Sequence, residues 1–351
     1  MRVARVVAKL EPGGAQLSQL RVARILGSRG HQTRLLVGYA TDAGVALARA
    51  HGLEPELMGA DRDLQWRCDP EFTGWLEPRL RDADLIHAHM FGAWWAAGHA
   101  APPETPLAAS EHNALNWPEE PQESAMSEVV ARIDRFYAHG PGARTVVIRA
   151  GMPEPLVARG LSPVEGFDAT ELPGLPKPRI VYTGRLAADK GVDVLIEAIA
   201  LMTAPPPVLI LGTGPLENEL RARIEATGLA DVVRLCGWAA DPAPFVAGAS
   251  VQVCPSRDEA LSQAAILAMA LGVPVVGTSV DGFPGTLGDN RGLILQPGDP
   301  AELAEALEGV LSGRLVTDLA GARVWAQRFE PGRVTDLYES DYLGLRRLVA
   351  A

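Results

Sequence analysis

The chain has 351 residues, of which 47% are hydrophobic and 21% are charged, and its formal net charge at pH 7 is −11. This composition is typical of a globular protein with about two domains of roughly 150 residues each. The negative charge argues against a nucleic-acid-binding surface, which needs a basic face. Because Cys68, Cys236 and Cys254 are widely spaced, a disulfide framework and a zinc ribbon are excluded.

The sequence shows no sign of membrane insertion. No apolar run reaches the roughly 18–20 residues that a membrane-spanning helix needs. Arg2 and Arg5 lie where a signal peptide would have its apolar core, so residues 3–10 are predicted to form a first strand instead. We expect a cytoplasmic protein without a transmembrane segment, and peripheral contact with a membrane stays open.

The first predicted motif is a strand, a helix and a second strand. A strand over residues 3–10 precedes Gly13 and Gly14, a helix follows over about 16–28, and a strand spans 33–37. Paired glycines let the backbone approach a ligand closely, although such pairs also occur in turns that bind nothing. The G-x-G-x-x-G fingerprint is absent, which argues against a nicotinamide-dependent oxidoreductase.

Histidines follow in the next two predicted strands. His87 and His89 lie in the strand over 84–89, and His112 and Asn113 lie where the strand that begins at 107 ends. Each histidine could act in a site or be a structural side chain that bonds to backbone. The H-x-H pair lacks a third ligand, so we predict no metal site.

A proline-rich stretch at about 160–177 has few helix or strand signals and marks a domain boundary. After it, a strand, a glycine turn at Gly184 and a helix start place Arg185 and Lys190 five residues apart. Two such cations could stabilise a diphosphate leaving group, or they could be an ordinary surface pair. A buried strand over 208–211 then ends at Gly212 and Gly214, which is a weak turn motif.

Residues 251–278 predict a strand, a polar loop, a helix over 262–271 and a second strand over 273–276. This order places the loop and the helix N-terminus at the carboxyl edge of a parallel sheet, where open α/β sheets bind ligands. The N–H groups at a helix start suit a phosphate, and Glu259 in the loop could accept hydrogen bonds from sugar hydroxyls. The stretch therefore predicts a site for a phosphorylated sugar or a nucleotide sugar.

The same residues resemble the donor-site signature of the retaining glycosyltransferases of family 4. Ser256, Glu259 and Gly272 match it, and so do the runs 268–270 (AMA) and 274–276 (PVV). Residues 184–191 are similar to the family's G-R-L-x-x-x-K-G motif, whose Arg and Lys clamp the diphosphate. The resemblance implies the α/β GT-B fold, with two Rossmann-like domains that face each other across a cleft. We expect an acceptor-binding domain over 1–165, a nucleotide-sugar-binding domain over 178–331 and, over 332–351, a C-terminal helix that crosses back to the first domain.

The resemblance also implies a reaction and a set of residues. The reaction is metal-independent, retaining transfer of a hexosyl group from a nucleotide-diphosphate sugar to a hydroxyl of a small-molecule, glycan or lipid-linked acceptor, with no cofactor. The leaving phosphate is thought to deprotonate the acceptor, so no protein nucleophile is required. The implied catalytic residues are His112, Glu259, Arg185 and Lys190; the donor site adds Gly13, Gly14, Gly184, Gly212, Gly214, Gly237, Trp238, Leu261, Ser262, Gln263 and Leu267; the acceptor site comprises His89, Asn113 and Trp117.

The chain departs from the family pattern at Leu267, where the family has a second Glu that binds the ribose hydroxyls, and at Asp281 and Gly285 in a Gly-Gly-x-Pro-Glu motif. A leucine cannot accept a hydrogen bond, so the donor could carry a deoxyribose, as dTDP does, or other groups could replace the Glu. Three alternatives share the architecture: an inverting GT-B transferase, a nucleotide-sugar epimerase and a non-catalytic nucleotide-sugar-binding partner.

Overall fold

The computed structural model describes residues 1–113 and 122–350, so Trp117 lies outside the described residues. The chain divides into two compact units. The N-terminal unit comprises Met1–Pro163 and the C-terminal segment from Pro331, and the C-terminal unit comprises Val164–Glu330.

The N-terminal unit contains a parallel sheet that, among the residues described, has seven strands in the order β3-β2-β1-β4-β5-β6-β7. Its strands are β1 (Arg2–Leu10), β2 (Gln32–Ala40), β3 (Pro55–Leu57), β4 (Leu85–His89), β5 (Leu107–Glu111), β6 (Arg135–Ala138) and β7 (Val157–Arg159). Its helices are α1 (Gly14–Ser28), α2 (Asp42–Ala50), α3 (Pro70–Leu80), α4 (Phe91–Ala100), α5 (Gln122–Val129), α6 (Pro141–Arg149) and, from the chain's end, α14 (Pro331–Ala350), with short 3-10 turns at Val130–Arg132 and Glu154–Leu156.

The C-terminal unit repeats this design with a six-stranded parallel sheet in the order β10-β9-β8-β11-β12-β13, counted over the described ranges. Its strands are β8 (Ile180–Thr183), β9 (Val208–Leu211), β10 (Val233–Gly237), β11 (Val251–Cys254), β12 (Val275–Thr278) and β13 (Leu293–Leu295). Its helices are α7 (Val192–Leu201), α8 (Glu217–Ala226), α9 (Ala243–Val246), α10 (Gln263–Ala270), α11 (Phe283–Leu287), α12 (Pro300–Leu311) and α13 (Leu319–Ala326), with 3-10 turns at Ala188–Lys190 and Gln327–Phe329.

Each sheet has one point at which the strand order reverses direction. In the N-terminal unit this switch point lies between β1 and β4, and in the C-terminal unit it lies between β8 and β11. Open parallel sheets bind ligands outside the carboxyl ends of the strands at such a point. The turns after these four strands therefore define the two places at which functional residues are expected.

The predicted strands and helices are confirmed, with small differences at their ends. Ser262 caps α10 instead of lying inside it, because its hydroxyl accepts the N–H of Ala265. The strand predicted to begin at Val273 begins at Val275, because the N–H of Val273 closes the helix end by donating to Ala268. Asp299 caps α12, since its carboxylate accepts the N–H groups of two first-turn residues.

One face of the N-terminal sheet is covered by α1 and α14, which pack against each other. Their aromatic and aliphatic side chains form a core with the inward-facing residues of the central strands. This burial places the ring of Tyr342 deep in the sheet, where it is 0% exposed. The core residues on this face are Val3, Val22, Leu26, Leu85, Ala108, Tyr137, Val334, Tyr338 and Tyr342.

Candidate functional site

Lys190 and Glu259 form an ion pair at the switch point of the C-terminal sheet. Lys190 ends the 3-10 turn that follows β8, and Glu259 lies in the loop that follows β11. The Nζ atom of Lys190 lies 3.1 Å from Oε2 of Glu259. Burial lowers the pKa of Lys190, but the carboxylates of Glu259 and Asp189 outweigh burial and hold this pKa above its ordinary value. The site therefore contains a charged ammonium group in direct contact with a carboxylate.

Arg185 lies on the same turn, and Asp189 connects it to Lys190. One carboxylate oxygen of Asp189 is 3.3 Å from Nη2 of Arg185, and the other is 3.5 Å from Nζ of Lys190. The side chain of Arg185 is 53% exposed, and ion pairs at such positions contribute only about 0–1 kcal/mol to stability. A ligand phosphate could therefore replace Asp189 as the partner of this guanidinium at little cost to the fold.

Glycines let two turns approach each other at this edge of the sheet. A Cβ atom at Gly212, whose φ is +147°, would lie 1.9 Å from the carbonyl oxygen of Gly184. A Cβ at Gly214 would lie 2.4 Å from the carbonyl oxygen of Leu186. The predicted glycine turns after β8 and β9 are thus packed backbone against backbone, and side chains at these positions would push them apart.

The loop that carries Glu259 is fixed by the segment after β12. The N–H of Gly282 donates to the carbonyl oxygen of Glu259 across 3.1 Å. A Cβ at Gly282 would lie 1.7 Å from the carbonyl oxygen of Ala260, so this contact requires glycine. Beyond the loop, α10 begins at Gln263 with Ser262 as its N-cap and Leu261 just before it. The helix start and Glu259 are therefore only a few residues apart on one anchored loop.

The other predicted donor residues differ in their exposure. Leu267 on α10 is 4% exposed and packs inside the C-terminal unit. A Cβ atom at Gly166 would lie 3.7 Å from Cδ1 of Leu267, so the segment that opens this unit covers the leucine. Trp238 is 43% exposed, and it follows Gly237, whose positive φ of 73° ends β10. The structure thus presents the indole at the surface and encloses the leucine.

The glycine pair of the N-terminal unit lies at the start of α1. Gly13 caps the helix and Gly14 is its first residue. A Cβ at Gly13 would lie 2.9 Å from Oε1 of Gln16, whose amide donates to the carbonyl oxygen of Lys9 across 3.3 Å. This places the turn at the carboxyl end of β1, beside the switch point of its own sheet.

Four histidines cluster beside the same switch point. His87 and His89 lie on β4, with ring centroids 4.1 Å apart. His112 follows β5 and stacks on His139 with a centroid distance of 3.8 Å, and its Nε2 atom lies 3.5 Å from Nδ1 of His89. Burial lowers the pKa of His112 to about 3, and it holds the pKa values of the other three histidines well below the ordinary value. The cluster is therefore uncharged at neutral pH.

Glu111 fixes the backbone that carries His112 and Asn113. Its Oε1 atom accepts the N–H of His112 at 3.0 Å, the N–H of Asn113 at 3.2 Å and the side-chain amide of Asn113 at 3.1 Å. Its Oε2 atom accepts the indole N–H of Trp94 at 3.3 Å. Burial raises the pKa of Glu111 to about 7. The carboxyl group thus determines the conformation of this predicted site loop.

The sequence interpretation missed Glu111, His139 and Arg5 as parts of the site. Arg5 interrupts the apolar run over residues 3–8 of β1 and is 1% exposed, and Glu111 is 0% exposed at the end of the buried strand β5. A charge inside an apolar strand is a signal that could have identified both, because a buried charge needs specific partners. His139 has no comparable signal. The structure also shows that His89, a predicted acceptor residue, is only 4% exposed.

Within the described part of the chain, no group of three or more His, Cys, Asp or Glu side chains is placed to hold a metal ion. Over the same residues, no helix combines the length and the apolar character that crossing a membrane requires.

Comparison with known proteins connects both units to one family. The model described as "Glycosyltransferase Family 4" matches residues 12–159, and the model described as "Glycosyl transferases group 1" matches residues 177–313. The chain is 28% identical to a D-inositol 3-phosphate glycosyltransferase of Xylanimonas cellulosilytica over 73% of its own length, but it spans only 65% of that relative. It is 27% identical to a phosphatidyl-myo-inositol mannosyltransferase of Mycobacterium leprae, over 86% of this chain and 84% of the relative.

A solved structure extends the likeness to nearly the whole chain. The Anabaena protein HepE (Alr3699), crystallised in complex with UDP, superposes with a TM-score of 0.82 at 21% identity, covering 98% of this chain and 100% of that one. This likeness shows that the fold is GT-B, as predicted, with two parallel sheets and interleaved helices. With one family model on each unit, the chain belongs to family 4 of the glycosyltransferases, the group 1 glycosyl transferases.

Proposed function

We propose that the protein transfers a hexosyl group from a nucleotide-diphosphate sugar to an acceptor hydroxyl, with retention of the anomeric configuration. The contact between Lys190 and Glu259 carries this proposal. An ammonium group binds phosphate oxygens, whereas a carboxylate accepts hydrogen bonds from sugar hydroxyls. A ligand in which a phosphate is joined to a sugar satisfies both neighbours, and a nucleotide sugar is such a ligand.

In the proposed complex, Lys190, Arg185 and the N–H groups at the start of α10 bind the diphosphate. Charge develops on the phosphate as the bond between the anomeric carbon and the phosphate oxygen breaks, and these preplaced donors stabilise it. The acceptor oxygen forms the new bond to the anomeric carbon on the same face of the sugar. Its proton passes to the departing phosphate, so the step balances without a protein base.

The N-terminal unit supplies the remaining roles in this proposal. His112 contacts the donor sugar near the reacting carbon, and Asn113 contacts the acceptor. The turn at Gly13 and Gly14 is assigned to donor binding. The anchoring of His112 and Asn113 by Glu111 supports these roles, because a site loop must be held in one conformation to orient a substrate.

The relatives suggest which acceptors and donors to test first. Two of them are named for transfer to D-inositol 3-phosphate and to phosphatidyl-myo-inositol, and HepE was crystallised with UDP. We therefore propose a cyclitol hydroxyl, free or linked to a lipid, as the first acceptor class, with cell-envelope glycans as the second.

The proposal is tested by thermal-shift binding to UDP, GDP, ADP and dTDP, followed by hydrolysis and transfer assays with the matching sugar nucleotides. We expect at least one nucleoside diphosphate to raise the melting temperature and its sugar derivative to be hydrolysed slowly without acceptor. Proton NMR of the product should show the anomeric configuration of the donor. Binding without any hydrolysis or transfer would favour a non-catalytic partner, and an inverted product would reject the retaining reaction.

A further inference from the structure

Arg5 is a buried guanidinium at the centre of the N-terminal sheet. It lies on β1 and is 1% exposed. Its Nη2 atom is 2.9 Å from Nε2 of His89, and its Nη1 atom is 3.4 Å from the hydroxyl of Tyr342. A guanidinium has donors only and is not deprotonated in proteins. The direction of both hydrogen bonds is therefore fixed, and Arg5 is the donor in each.

The bond from Arg5 determines where the proton of His89 lies. Nε2 of His89 must accept, so this neutral ring carries its proton on Nδ1. That Nδ1 atom lies 3.5 Å from Nε2 of His112, so His89 donates and His112 accepts. Because neutral His112 accepts at Nε2, its own proton must be on Nδ1. The fixed donor at Arg5 thus determines the tautomer of His89 and, through His89, the tautomer of His112.

A second branch from Arg5 obeys the same directions. Because the hydroxyl of Tyr342 accepts from Arg5, its own proton is available for Nδ1 of His87, which lies 2.5 Å away. In that arrangement neutral His87 donates from Nε2 to the hydroxyl of Ser110 across 2.7 Å. A single assignment of protons is therefore compatible with both branches.

We propose that Arg5 is a positioning residue that fixes His112 in the tautomer with its proton on Nδ1. His112 then presents an N–H donor at Nδ1, and its Nε2 lone pair is occupied by His89. This inference rests on the proposed role of His112 at the donor sugar. There, His112 donates a hydrogen bond to a substrate oxygen and does not act as a general base. His89 acts through His112 and has no direct contact with the acceptor.

The groups that face His112 favour the neutral ring that this assignment needs. They are the guanidinium of Arg5, the ring of His89, the ring of His139 stacked upon it, and Glu111, which holds its backbone N–H. Burial and the charge of Arg5 both lower the pKa of His112. Protonation of His112 would place an N–H at Nε2, directly opposite the N–H that His89 donates. The hydrogen-bond geometry and the charge of Arg5 therefore both favour the neutral ring.

The test reads the tautomer directly by nitrogen NMR of the histidine rings in the full-length protein, because protonated and unprotonated ring nitrogens have well-separated shifts. In the wild-type protein we expect Nδ1 of His112 to be protonated and Nε2 to be bare. If the wild-type spectrum shows His112 protonated on Nε2 and bare on Nδ1, the inference is overturned, irrespective of the results with the variants.

Three variants separate positioning from folding. Arg5→Met removes the donor, and we expect His112 to lose its single tautomer, whereas Arg5→Lys retains a donor and should restore it. Tyr342→Phe disturbs the same buried region but leaves the Arg5–His89–His112 chain intact, so the His112 tautomer should stay unchanged. An unchanged tautomer in folded Arg5→Met, or a changed one in Tyr342→Phe, would overturn the inference.

Donor hydrolysis distinguishes this inference from the proposed function. We expect Arg5→Met to lower kcat by about tenfold, the loss of roughly one oriented hydrogen bond, with the affinity for nucleoside diphosphate unchanged, because that ligand is assigned to the C-terminal unit. If the wild-type protein hydrolyses the donor but His112 has the opposite tautomer, only the proposed role of Arg5 is contradicted. If His112 has the expected tautomer but the protein binds no nucleotide, only the proposed function is contradicted.

Discussion

Gly191 and Pro255 approach so closely that a Cβ atom at Gly191 would lie 2.0 Å from the carbonyl oxygen of Pro255. Gly191 also has a φ of +64°, a conformation that side chains disfavour. It follows Lys190 directly and caps α7, while Pro255 opens the loop that leads to Glu259. The contact between these two backbones therefore sets the spacing of the cation and the acid.

Gly191→Ala should separate the two turns. We expect a loss of about 2–4 kcal/mol in the free energy of unfolding, from the strained φ and the displaced carbonyl, together with weaker nucleoside diphosphate binding. Gly285→Ala is the matched control, because a Cβ there meets nothing within 4 Å and the residue lies in α11. Urea unfolding and calorimetry check both variants, and equal stability of the two would contradict the packing argument.

Substitutions at Lys190 and Glu259 should affect different parts of the donor. Lys190→Met should weaken binding of the nucleoside diphosphate about tenfold or more, because one charged hydrogen bond is worth roughly 1.5–3 kcal/mol. Glu259→Gln should retain that binding but lose most of the additional affinity for the sugar nucleotide. Isothermal titration with the diphosphate and with its sugar derivative measures both effects.

Arg257→Met provides the control for that comparison. Arg257 lies on the same loop, but its guanidinium pairs with both carboxylate oxygens of Asp193, at 2.8 and 2.6 Å. Its loss should leave nucleotide affinity within about threefold of the wild type, since a partly exposed ion pair contributes only about 0–1 kcal/mol. If Arg257→Met weakens binding as much as Lys190→Met, general loop disorder explains both results.

The buried histidines should make the protein sensitive to acid. The folded pKa values of His87, His89, His112 and His139 are depressed, so below their ordinary value of 6.5 the unfolded chain binds protons that the folded chain does not. Stability therefore falls as the pH drops through 6.5. Glu111 opposes this trend, because its raised pKa of about 7 makes the folded state bind a proton between that value and 4.5. Because four histidines oppose one carboxyl group, the net effect between about pH 7.5 and about pH 5.5 should be a loss on the order of a few kcal/mol.

His139→Phe tests this pH dependence. The substitution keeps a ring stacked on His112 and removes one depressed histidine, whose Nε2 atom is buried without a hydrogen-bond partner among the described residues. The loss over the same pH interval should shrink by roughly 1 kcal/mol. Urea denaturation at both pH values is the measurement, and a variant with the wild-type pH dependence would show that His139 titrates normally in the folded protein.

Leu267 should tolerate methionine but not glutamate. Because Leu267 is 4% exposed, Leu267→Glu places a carboxyl group in an apolar environment and should cost about 3 kcal/mol or more, whereas Leu267→Met should cost less than about 1.5 kcal/mol. Thermal unfolding of the two variants checks this difference. A glutamate variant as stable as the methionine variant would show that this position opens to solvent.

The identity of residue 267 also leads to a prediction about the donor. In the family that this chain resembles, the residue at this position binds the ribose hydroxyls. A hydroxyl left there without a partner costs about 1–3 kcal/mol, and a deoxyribose loses less because it has one hydroxyl fewer. We therefore expect dTDP to bind at least as tightly as UDP or GDP. Titration showing UDP or GDP to be about tenfold tighter than dTDP would reject a deoxyribose donor and indicate that other groups replace the missing acid.

Much of the C-terminal unit could be predicted because its signals are local. Ser262 caps α10 and Gly272, with a φ of +72°, ends it, and both lie within a few residues of the helix that they bound. The β-branched runs on either side form parallel neighbours, which a strand–helix–strand order requires. The Lys190–Glu259 contact follows from the same topology, because both residues leave adjacent strands at one edge.

The sequence by itself determined the order of the α/β elements, since this depends on short-range periodicity and turn chemistry. Its resemblance to family 4 predicted the GT-B fold and pointed to the cations and the acid. Only the tertiary structure decided which charges are buried and what they contact. Arg5 meets His89 across 84 residues and Tyr342 across 337, and Leu267 is covered by a segment that begins about a hundred residues earlier. No local pattern encodes such contacts, because the direction of a buried hydrogen bond depends on every group packed around it.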